Sequence, residues 1–301
     1  MNTLKRKFKG DKGELIFYSA LIALPILQIL IFYFYVNFNS VMLAFKEFDG
    51  KDFIWNPDYN FPTLWYEIKS LKLLIALKNS LIVWVFTSVL GTFLAIVFAY
   101  YIYKKWFMAK TFKFFLFLPS VLPSILLVSV FKFFVNQAIP GYAEIFGLEV
   151  GELLIHGRDS LFPTVVFYNV WICFGAQLLI YTGAMDQIAP EVIEAGQLDG
   201  VTPVREFFSI VIPMILPTIS TFIIANVATL FTNQANLYAF FGGEKVLSQD
   251  FTIGYYLFSL VGESGSMDKY PYASMLGIIC TLIAFPLTVL VRRLLNGKEE
   301  A

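Results

Sequence analysis

Six long apolar stretches, separated by polar segments, define the pattern of this chain. A helix of about 20 apolar residues is long enough to cross the hydrocarbon core of a bilayer. The pattern therefore predicts an all-α, polytopic integral membrane protein with six transmembrane helices. Prolines inside the third and fifth stretches, at Pro119, Pro123, Pro213 and Pro217, predict that these two helices bend. The six stretches cover approximately residues 15–36, 77–103, 114–135, 161–183, 207–231 and 272–290.

The polar segment between the fourth and fifth stretches predicts a short helix that ends in a tight turn. Pro190 is typical of a first helical turn, and the nearby carboxylates of Glu191 and Glu194 interact favourably with the helix dipole. Gly200 can adopt the left-handed conformation that often ends a helix. The resulting helix over residues 190–199 is about 15 Å long, which is too short to span a membrane.

A second helix is predicted directly after this turn, because Thr202 suits a helix cap and Pro203 suits a first turn. This helix continues into the fifth apolar stretch. Residues 184–209 carry five carboxylates and one cation, Arg205. Helices that bind a membrane surface are usually rich in Lys and Arg. A docking site for a protein partner is therefore favoured over the alternative, a passive helix on lipid headgroups.

Composition and charge agree with a membrane protein and predict its orientation. Charged residues make up 15% of the 301 residues, against about 25% in soluble domains. Six spans place both termini on one side of the membrane. More than half of the 22 basic residues fall on that side, which the positive-inside rule predicts to be cytoplasmic. The segments concerned are residues 1–14, 104–113, 184–209 and 292–301.

The predicted spans divide the chain into four parts. Between two cytoplasmic tails lie a first transmembrane helix with its extracytoplasmic loop and a core of five helices that includes the short helix 190–199. The four parts are residues 1–14 for the N-terminal tail, 15–76 for the first helix and loop, 77–291 for the core, and 292–301 for the C-terminal tail.

The sequence lacks motifs for cofactor or metal chemistry. It contains no phosphate-binding glycine loop followed by Lys and Ser or Thr, no His-Glu-x-x-His and no Cys-x-x-Cys. The chain is therefore not predicted to be an enzyme or to bind a cofactor or metal ion, and Cys173 and Cys280 are predicted to be buried thiols. Two weaker alternatives are a membrane enzyme, which needs convergent reactive groups, and a secondary carrier, which usually has ionisable groups at the membrane midplane.

Residues 194–213 resemble the cytoplasmic motif of ABC importer permeases. That motif is Glu-Ala-Ala, three residues, Gly, nine residues and then Ile-x-Leu-Pro. The position of the segment between the fourth and fifth of six spans is also that of the family. Gly196 replaces the second alanine and Ile212 replaces the leucine, but the spacing is unchanged. The matching residues are Glu194, Ala195, Gly196, Gly200, Ile210, Ile212 and Pro213.

The carbohydrate branch of this family is resembled at the Asp199-Gly200 pair, at Phe207 and at the pair of Pro213 and Pro217. The resemblance implies a heterodimer of two permeases in a bacterial cell membrane, two cytoplasmic ATPases that bind ATP and magnesium, and an extracytoplasmic binding protein that delivers a saccharide. Glu244 departs from the proline typical of the branch, so another uncharged solute, an amino acid or a peptide remains an alternative. The implied ATPase-docking residues are Glu191, Glu194, Ala195, Gly196, Asp199 and Gly200.

Polar and aromatic side chains within the predicted spans are candidates for the substrate pathway, since an uncharged saccharide needs hydrogen-bonding groups and aromatic faces. The spacing of Asn226, Thr229 and Asn233 predicts that they share one face of the fifth helix. Because polar residues in spans also bond to neighbouring helices, a purely structural role is an open alternative for each. The candidates are Tyr168, Asn169, Trp171, Asn226, Thr229, Asn233 and Gln234.

Overall fold

The structure is a computed structural model that describes residues 12–155, 159–242, 246–263 and 266–296. Helices account for most of these residues, so the predicted all-α class is confirmed, with one small β-hairpin added. Among the described residues, five helical segments are long and apolar enough to cross a membrane. A sixth span is present if one sharply bent pair of helices is counted as a single crossing.

The first helical segment is longer than predicted. Helix α1 (Lys12–Gln28) continues through a π-helical stretch (Ile29–Val36) into α2 (Asn37–Leu43), although residues 37–43 were expected in a loop. The polar side chains there bond within the helix: the Asn37 amide donates to the Tyr33 carbonyl oxygen at 2.8 Å. Because these groups are satisfied locally, polar residues do not end the helix. Helix α2 packs beside the last helix of the chain.

A compact cap follows the first helix. Strands β1 (Lys46–Phe48) and β2 (Phe53–Trp55) pair antiparallel, and α3 (Phe61–Lys69) comes next. The buried Asn60 holds the cap together, because its amide nitrogen donates to the Ala44 carbonyl oxygen at 2.8 Å. We call the side of the molecule that carries this cap the hairpin end.

The second span (Lys72–Tyr103) runs from the hairpin end as α4 (Lys72–Val85), a π-helical stretch (Phe86–Gly91) and α5 (Thr92–Tyr103). At its start, the buried carboxylate of Glu67 accepts hydrogen bonds from the hydroxyls of Tyr256 and Tyr272 and lies 3.1 Å from Lys72 Nζ. Glu67 thus joins α3 to the start of the second span and to two helices near the end of the chain.

The third apolar stretch, predicted over residues 114–135 with a disturbance at its prolines, is broken there into two helices. Helix α6 (Ala109–Val121) packs against α5 and the fourth span, and the chain is extended at Leu122 and Pro123. Proline lacks an amide hydrogen and forces the residue before it out of the helical conformation. The candidate span starts after this break and reaches into the predicted loop. It comprises α7 (Ser124–Phe133), a π-helical stretch (Phe134–Ala138) and α8 (Ile139–Ile145).

The fourth span, α9 (Leu161–Met185), matches its prediction, and the fifth is bent as predicted. Its two halves, Pro203–Met214 and Leu216–Ala228, meet at 68° next to Ile215, because Pro217 cannot donate the backbone hydrogen bond there. Before and within this bend lie α10 (Pro190–Leu198), α11 (Pro203–Glu206), a π-helical stretch (Phe207–Val211), α12 (Ile212–Met214) and α13 (Leu216–Ala228). We call this part of the molecule the α10 end.

The chain after α13 was expected to be a long polar segment, but it is packed and partly helical. Leu237, Phe240, Tyr255 and Tyr256 are buried in it. They contribute to two apolar clusters at the hairpin end, one with α7 and α9 and one with α4 and the last helix. The elements are α14 (Leu237–Phe241), α15 (Ile253–Phe258), a π-helical stretch (Ser259–Glu263) and the sixth span, α16 (Tyr270–Asn296).

Candidate functional site

Helix α10 exposes an acidic and apolar face. The predicted helix over residues 190–199 is confirmed, with Asp199 as its C-terminal cap. Glu191, Glu194 and Asp199 are exposed, and so is Ala195. Leu198 is 88% exposed and Val192 is 39% exposed, so the accessible side of α10 also presents apolar surface. This face has the combination of charge and apolar surface that suits a protein partner.

The opposite face of α10 packs on the fifth span. Ile193 and Gly196 are buried there. A Cβ atom at Gly196 would lie 2.9 Å from Ile210 Cδ1, so glycine permits the close approach of the two helices. Of the two small residues that the resemblance includes among the docking residues, Gly196 is buried in this contact, while Ala195 is exposed.

The turn after α10, which we call the elbow (residues 200–203), has the predicted geometry. Gly200 has a φ angle of +73°, in the left-handed region. The Val201 amide donates to the Gly196 carbonyl oxygen at 3.0 Å, a bond that closes the end of the helix. The Thr202 hydroxyl accepts from the Arg205 amide at 3.4 Å and caps α11. Short-range hydrogen bonds therefore fix the angle between α10 and the fifth span.

A buried ion pair next to the elbow was missed by the sequence reasoning. Glu206 is 3% exposed, and its two carboxylate oxygens lie 2.9 Å and 3.1 Å from Lys104 Nζ. The Tyr100 hydroxyl lies 3.0 Å from Glu206 Oε1 and 3.0 Å from the Pro203 carbonyl oxygen. Lys104 and Glu206 are 102 residues apart, so no local pattern signals that they meet.

The two aromatic candidates for the substrate pathway on α9 differ in burial. Tyr168 is 0% exposed, with its ring centroid 4.9 Å from those of both Phe131 and Phe240. Trp171, one helical turn further, is 38% exposed and stacks on Phe131 at 6.2 Å. Of the aromatic candidates on α9, Trp171 therefore offers an accessible face, and Tyr168 fills the core.

Asn169 joins α9 to the turn that carries two other candidates. Its amide nitrogen donates to the Ala235 carbonyl oxygen at 2.9 Å, and its amide oxygen accepts from the Asn236 side chain at 2.8 Å. Ala235 and Asn236 have φ angles of 52° and 57°, which non-glycine residues seldom adopt. Asn169 is thus engaged in holding a strained turn next to Asn233 and Gln234.

The predicted common helical face of Asn226, Thr229 and Asn233 is wrong. Helix α13 ends at Ala228, before Asn233, so Asn233 lies on the following turn and not on the helix. Thr229 and Asn233 are nevertheless exposed, while Asn226 and Gln234 are partly buried. The polar candidates of the fifth span therefore lie on a helix end and a turn.

Comparison with known proteins assigns the chain to a family. Residues 89–297 match the family described as "Binding-protein-dependent transport system inner membrane component". The chain belongs to this family. The match includes α10 and all the candidate residues, so the permease family resemblance in the sequence is confirmed. As a member of this family the chain is a multi-pass inner membrane transport component.

One relative and one solved structure cover most of the chain, and a second relative covers about a third of it. The multiple sugar-binding transport system permease protein MsmF of Streptococcus mutans is 25% identical over 288 residues, 94% of this chain and 96% of that protein. The sn-glycerol-3-phosphate transport system permease protein UgpA of Pectobacterium atrosepticum is 31% identical over 114 residues, 37% and 38% of the two chains. A bacterial ABC transporter involved in alginate import has the same fold, with a TM-score of 0.76, 19% identity, and coverage of 95% and 96%.

Proposed function

We propose that this chain is one of two permease subunits of an ATP-driven importer that carries a saccharide by alternating access. The family match carries the importer assignment. The saccharide is supported by the relative named as a sugar permease, which aligns over nearly the whole chain. An extracytoplasmic binding protein delivers the substrate, as the family's description implies for its members. The sites of this subunit bind no cofactor; ATP and magnesium bind to two partner ATPases.

The exposed face of α10 is the proposed docking site for one ATPase. Glu191, Glu194, Ala195 and Asp199 are accessible to a partner, and Leu198 offers it an apolar contact. A buried apolar contact surrounded by charges is a common design of a protein interface. The ATPase thus acts on the transporter through the acidic face of α10.

Gly196 and Gly200 have a different part in this proposal. They hold α10 against the fifth span and set the angle of the elbow, and do not themselves supply binding groups. Displacement of α10 by the ATPase is therefore passed on to the fifth span.

The proposed orientation places the α10 end and both termini in the cytoplasm. It is supported by the excess of basic residues in the segments on that side. The hairpin end then faces the binding protein. With this orientation the ATPases meet α10, and substrate enters near the turn that Asn169 holds.

The proposed substrate pathway consists of accessible polar groups and one aromatic face. Thr229, Asn233, Gln234 and Asn226 supply hydrogen-bonding groups, and Trp171 supplies a surface on which a sugar ring can stack. Tyr168 and Asn169 are proposed to position these groups. The set contains no ionisable side chain, which fits an uncharged saccharide better than a charged one.

The test is ATP-dependent uptake by the assembled importer in proteoliposomes, with a panel of labelled oligosaccharides. Glu194→Lys reverses the charge of the docking face, so uptake and ATP hydrolysis should fall by about tenfold or more, the effect of losing about 1.4 kcal/mol of coupling. Asp186→Lys is a matched control, because it makes the same charge change at an exposed position just before α10. Normal uptake in Glu194→Lys would show that α10 is not the docking helix.

A further inference from the structure

The carboxylate of Glu206 connects the elbow to the second span. Glu206 is the last residue of α11, and Lys104 directly follows α5, the second half of the second span. Both carboxylate oxygens face Lys104 Nζ, at 2.9 Å and 3.1 Å. The side chains of Lys104 and Glu206 are 17% and 4% exposed, so water screens the pair poorly.

Tyr100 adds two further contacts between the same elements. Tyr100 lies one helical turn before Lys104, and residues at this spacing share one face of a helix. Its hydroxyl lies 3.0 Å from Glu206 Oε1 and 3.0 Å from the Pro203 carbonyl oxygen. Its ring centroid lies 4.9 Å from that of Phe207. The end of the second span therefore holds both the side chains and the backbone of α11.

The apolar cluster that contains Tyr100 and Phe207 also includes a residue of α10. Ile193 of α10 is buried with Tyr100 and Phe207, and with Met185 at the end of the fourth span. Gly196 contacts the fifth span directly, as described above. A displacement of α10 therefore acts on the fifth span through the chain and on the second span through Glu206.

We propose that Glu206, Lys104 and Tyr100 make the end of the second span move together with the elbow, so that displacement of α10 drives the second and fifth spans as one unit. Separating the pair would leave a charge buried without its partner, which is strongly unfavourable, whereas joint movement keeps the contacts. This inference rests on the proposed ATP-driven function. The three side chains are positioning residues, because they contact neither nucleotide nor substrate.

The experiment measures whether the distance between the elbow and the second span stays the same when the importer binds and hydrolyses ATP. Spin labels are attached at Val204→Cys on α11 and Lys105→Cys beside the second span, both exposed positions, in an otherwise cysteine-free chain. The assembled importer in lipid nanodiscs is compared without nucleotide and with ATP, magnesium and vanadate. In the labelled chain that keeps Lys104 and Glu206, called the otherwise native chain, we expect one narrow distance distribution that is the same in both states.

The decisive variant is Lys104→Met with Glu206→Met, because exchange of a buried ion pair for apolar residues of similar size often preserves folding. We expect its distance to shift with nucleotide by more than the width of the distribution in the otherwise native chain. Glu206→Gln is the second variant, and Arg205→Met, which removes an exposed charge next to Glu206, is the matched control. The control should behave as the otherwise native chain does.

Three outcomes would overturn the inference. A nucleotide-dependent distance in the otherwise native chain would show that the elbow and the second span move apart. An unchanged distance in both charge variants would show that Glu206 does not hold them together. ATP hydrolysis by the native assembly is measured in parallel, and its absence would overturn the proposed function and the inference together. A role in stability alone would change the melting temperature without a nucleotide-dependent shift in distance.

Discussion

At the hairpin end of the second span, Lys72 Nζ lies 3.1 Å from Glu67, and at the α10 end Lys104 Nζ lies 2.9 Å from Glu206. Tyrosine hydroxyls complete both sites, two on Glu67 and one on Glu206. One helix is thus held at each end by a lysine, a buried glutamate and phenol groups. The two ends use the same chemistry to fix different neighbours.

The two sites differ in the structural element on which the glutamate lies. Glu67 lies on α3, part of the cap, and binds two tyrosines from α15 and α16. Glu206 lies on α11, next to the elbow that follows the proposed docking helix. We therefore expect the Glu67 site to act chiefly on stability and the Glu206 site chiefly on movement. The predictions below separate these two roles.

The largest effect is expected for Glu67→Ala. It leaves the hydroxyls of Tyr256 and Tyr272 without their acceptor, and breaking a buried charged site of this kind costs about 3–5 kcal/mol. Since the side chain of Lys72 is 31% exposed and can turn to water, the lower part of that range is expected. Thermal unfolding of the purified chain in detergent should show a clearly lower midpoint.

Glu47→Ala is the matched control for Glu67→Ala. Glu47 is also an acidic residue of the hairpin end, and its carboxylate accepts one hydrogen bond, from the Asn56 side chain at 2.8 Å. We expect a change of about 1 kcal/mol for this single bond. Equal midpoints for the two variants would contradict the view that Glu67 organises the hairpin end.

At the α10 end the helix, the elbow and the bend were predicted because their signals are local, whereas the distant pair of Lys104 and Glu206 was missed. Pro190 favours a first helical turn through its fixed φ angle, and Gly200 and Thr202 bond to residues at most four positions away. The helix over 190–199, the elbow and the bend of the fifth span follow from such signals. The identity of α10 as a docking helix came from the spacing of a family motif, and its acidic face supports it.

The hairpin end could not be predicted in the same way, because its contacts join distant parts of the chain. Glu67 is 189 and 205 residues away from its two tyrosines, and Asn169 is 67 residues away from Asn236. A single sequence contains no signal for such pairs. The prediction that Asn226, Thr229 and Asn233 share one helical face failed for the same reason. It assumed helical spacing as far as Asn233, but the helix ends at Ala228 because the following turn packs against distant parts of the chain.

The second prediction compares the two lysines. Lys104→Met leaves Glu206, whose side chain is 4% exposed, buried without this cation, whereas Lys72→Met leaves Glu67 with its two phenol donors. Glu206 keeps the hydroxyl of Tyr100 as a partner, so the loss is expected below the about 3–5 kcal/mol of a fully unpaired buried charge, at about 1–3 kcal/mol. We expect Lys104→Met near the upper part of this range and Lys72→Met near the lower part.

The measurement is the midpoint of thermal unfolding of each variant, together with the double variants Lys104→Met with Glu206→Met and Lys72→Met with Glu67→Met. The first double variant should recover most of the loss, because it removes the unpaired carboxylate. The second should unfold at a lower temperature than Lys72→Met alone, since it also takes the acceptor from two tyrosines. A larger loss for Lys72→Met than for Lys104→Met would reverse the comparison of the two ends.

The smallest effects are expected when one hydroxyl is removed at each end, with Tyr272→Phe and Tyr100→Phe. At the hairpin end Tyr256 remains on Glu67, and at the α10 end Lys104 remains on Glu206, so each carboxylate keeps a partner. Loss of one hydrogen bond then costs about 1 kcal/mol in stability.

In transport, however, the variants should differ, because the Tyr100 hydroxyl also contacts the Pro203 carbonyl oxygen of the elbow. We expect slower ATP-driven uptake in Tyr100→Phe and near-normal uptake in Tyr272→Phe, measured side by side in proteoliposomes. Equal uptake in the two variants, at equal melting temperatures, would mean that the two ends of the second span do not have separate roles.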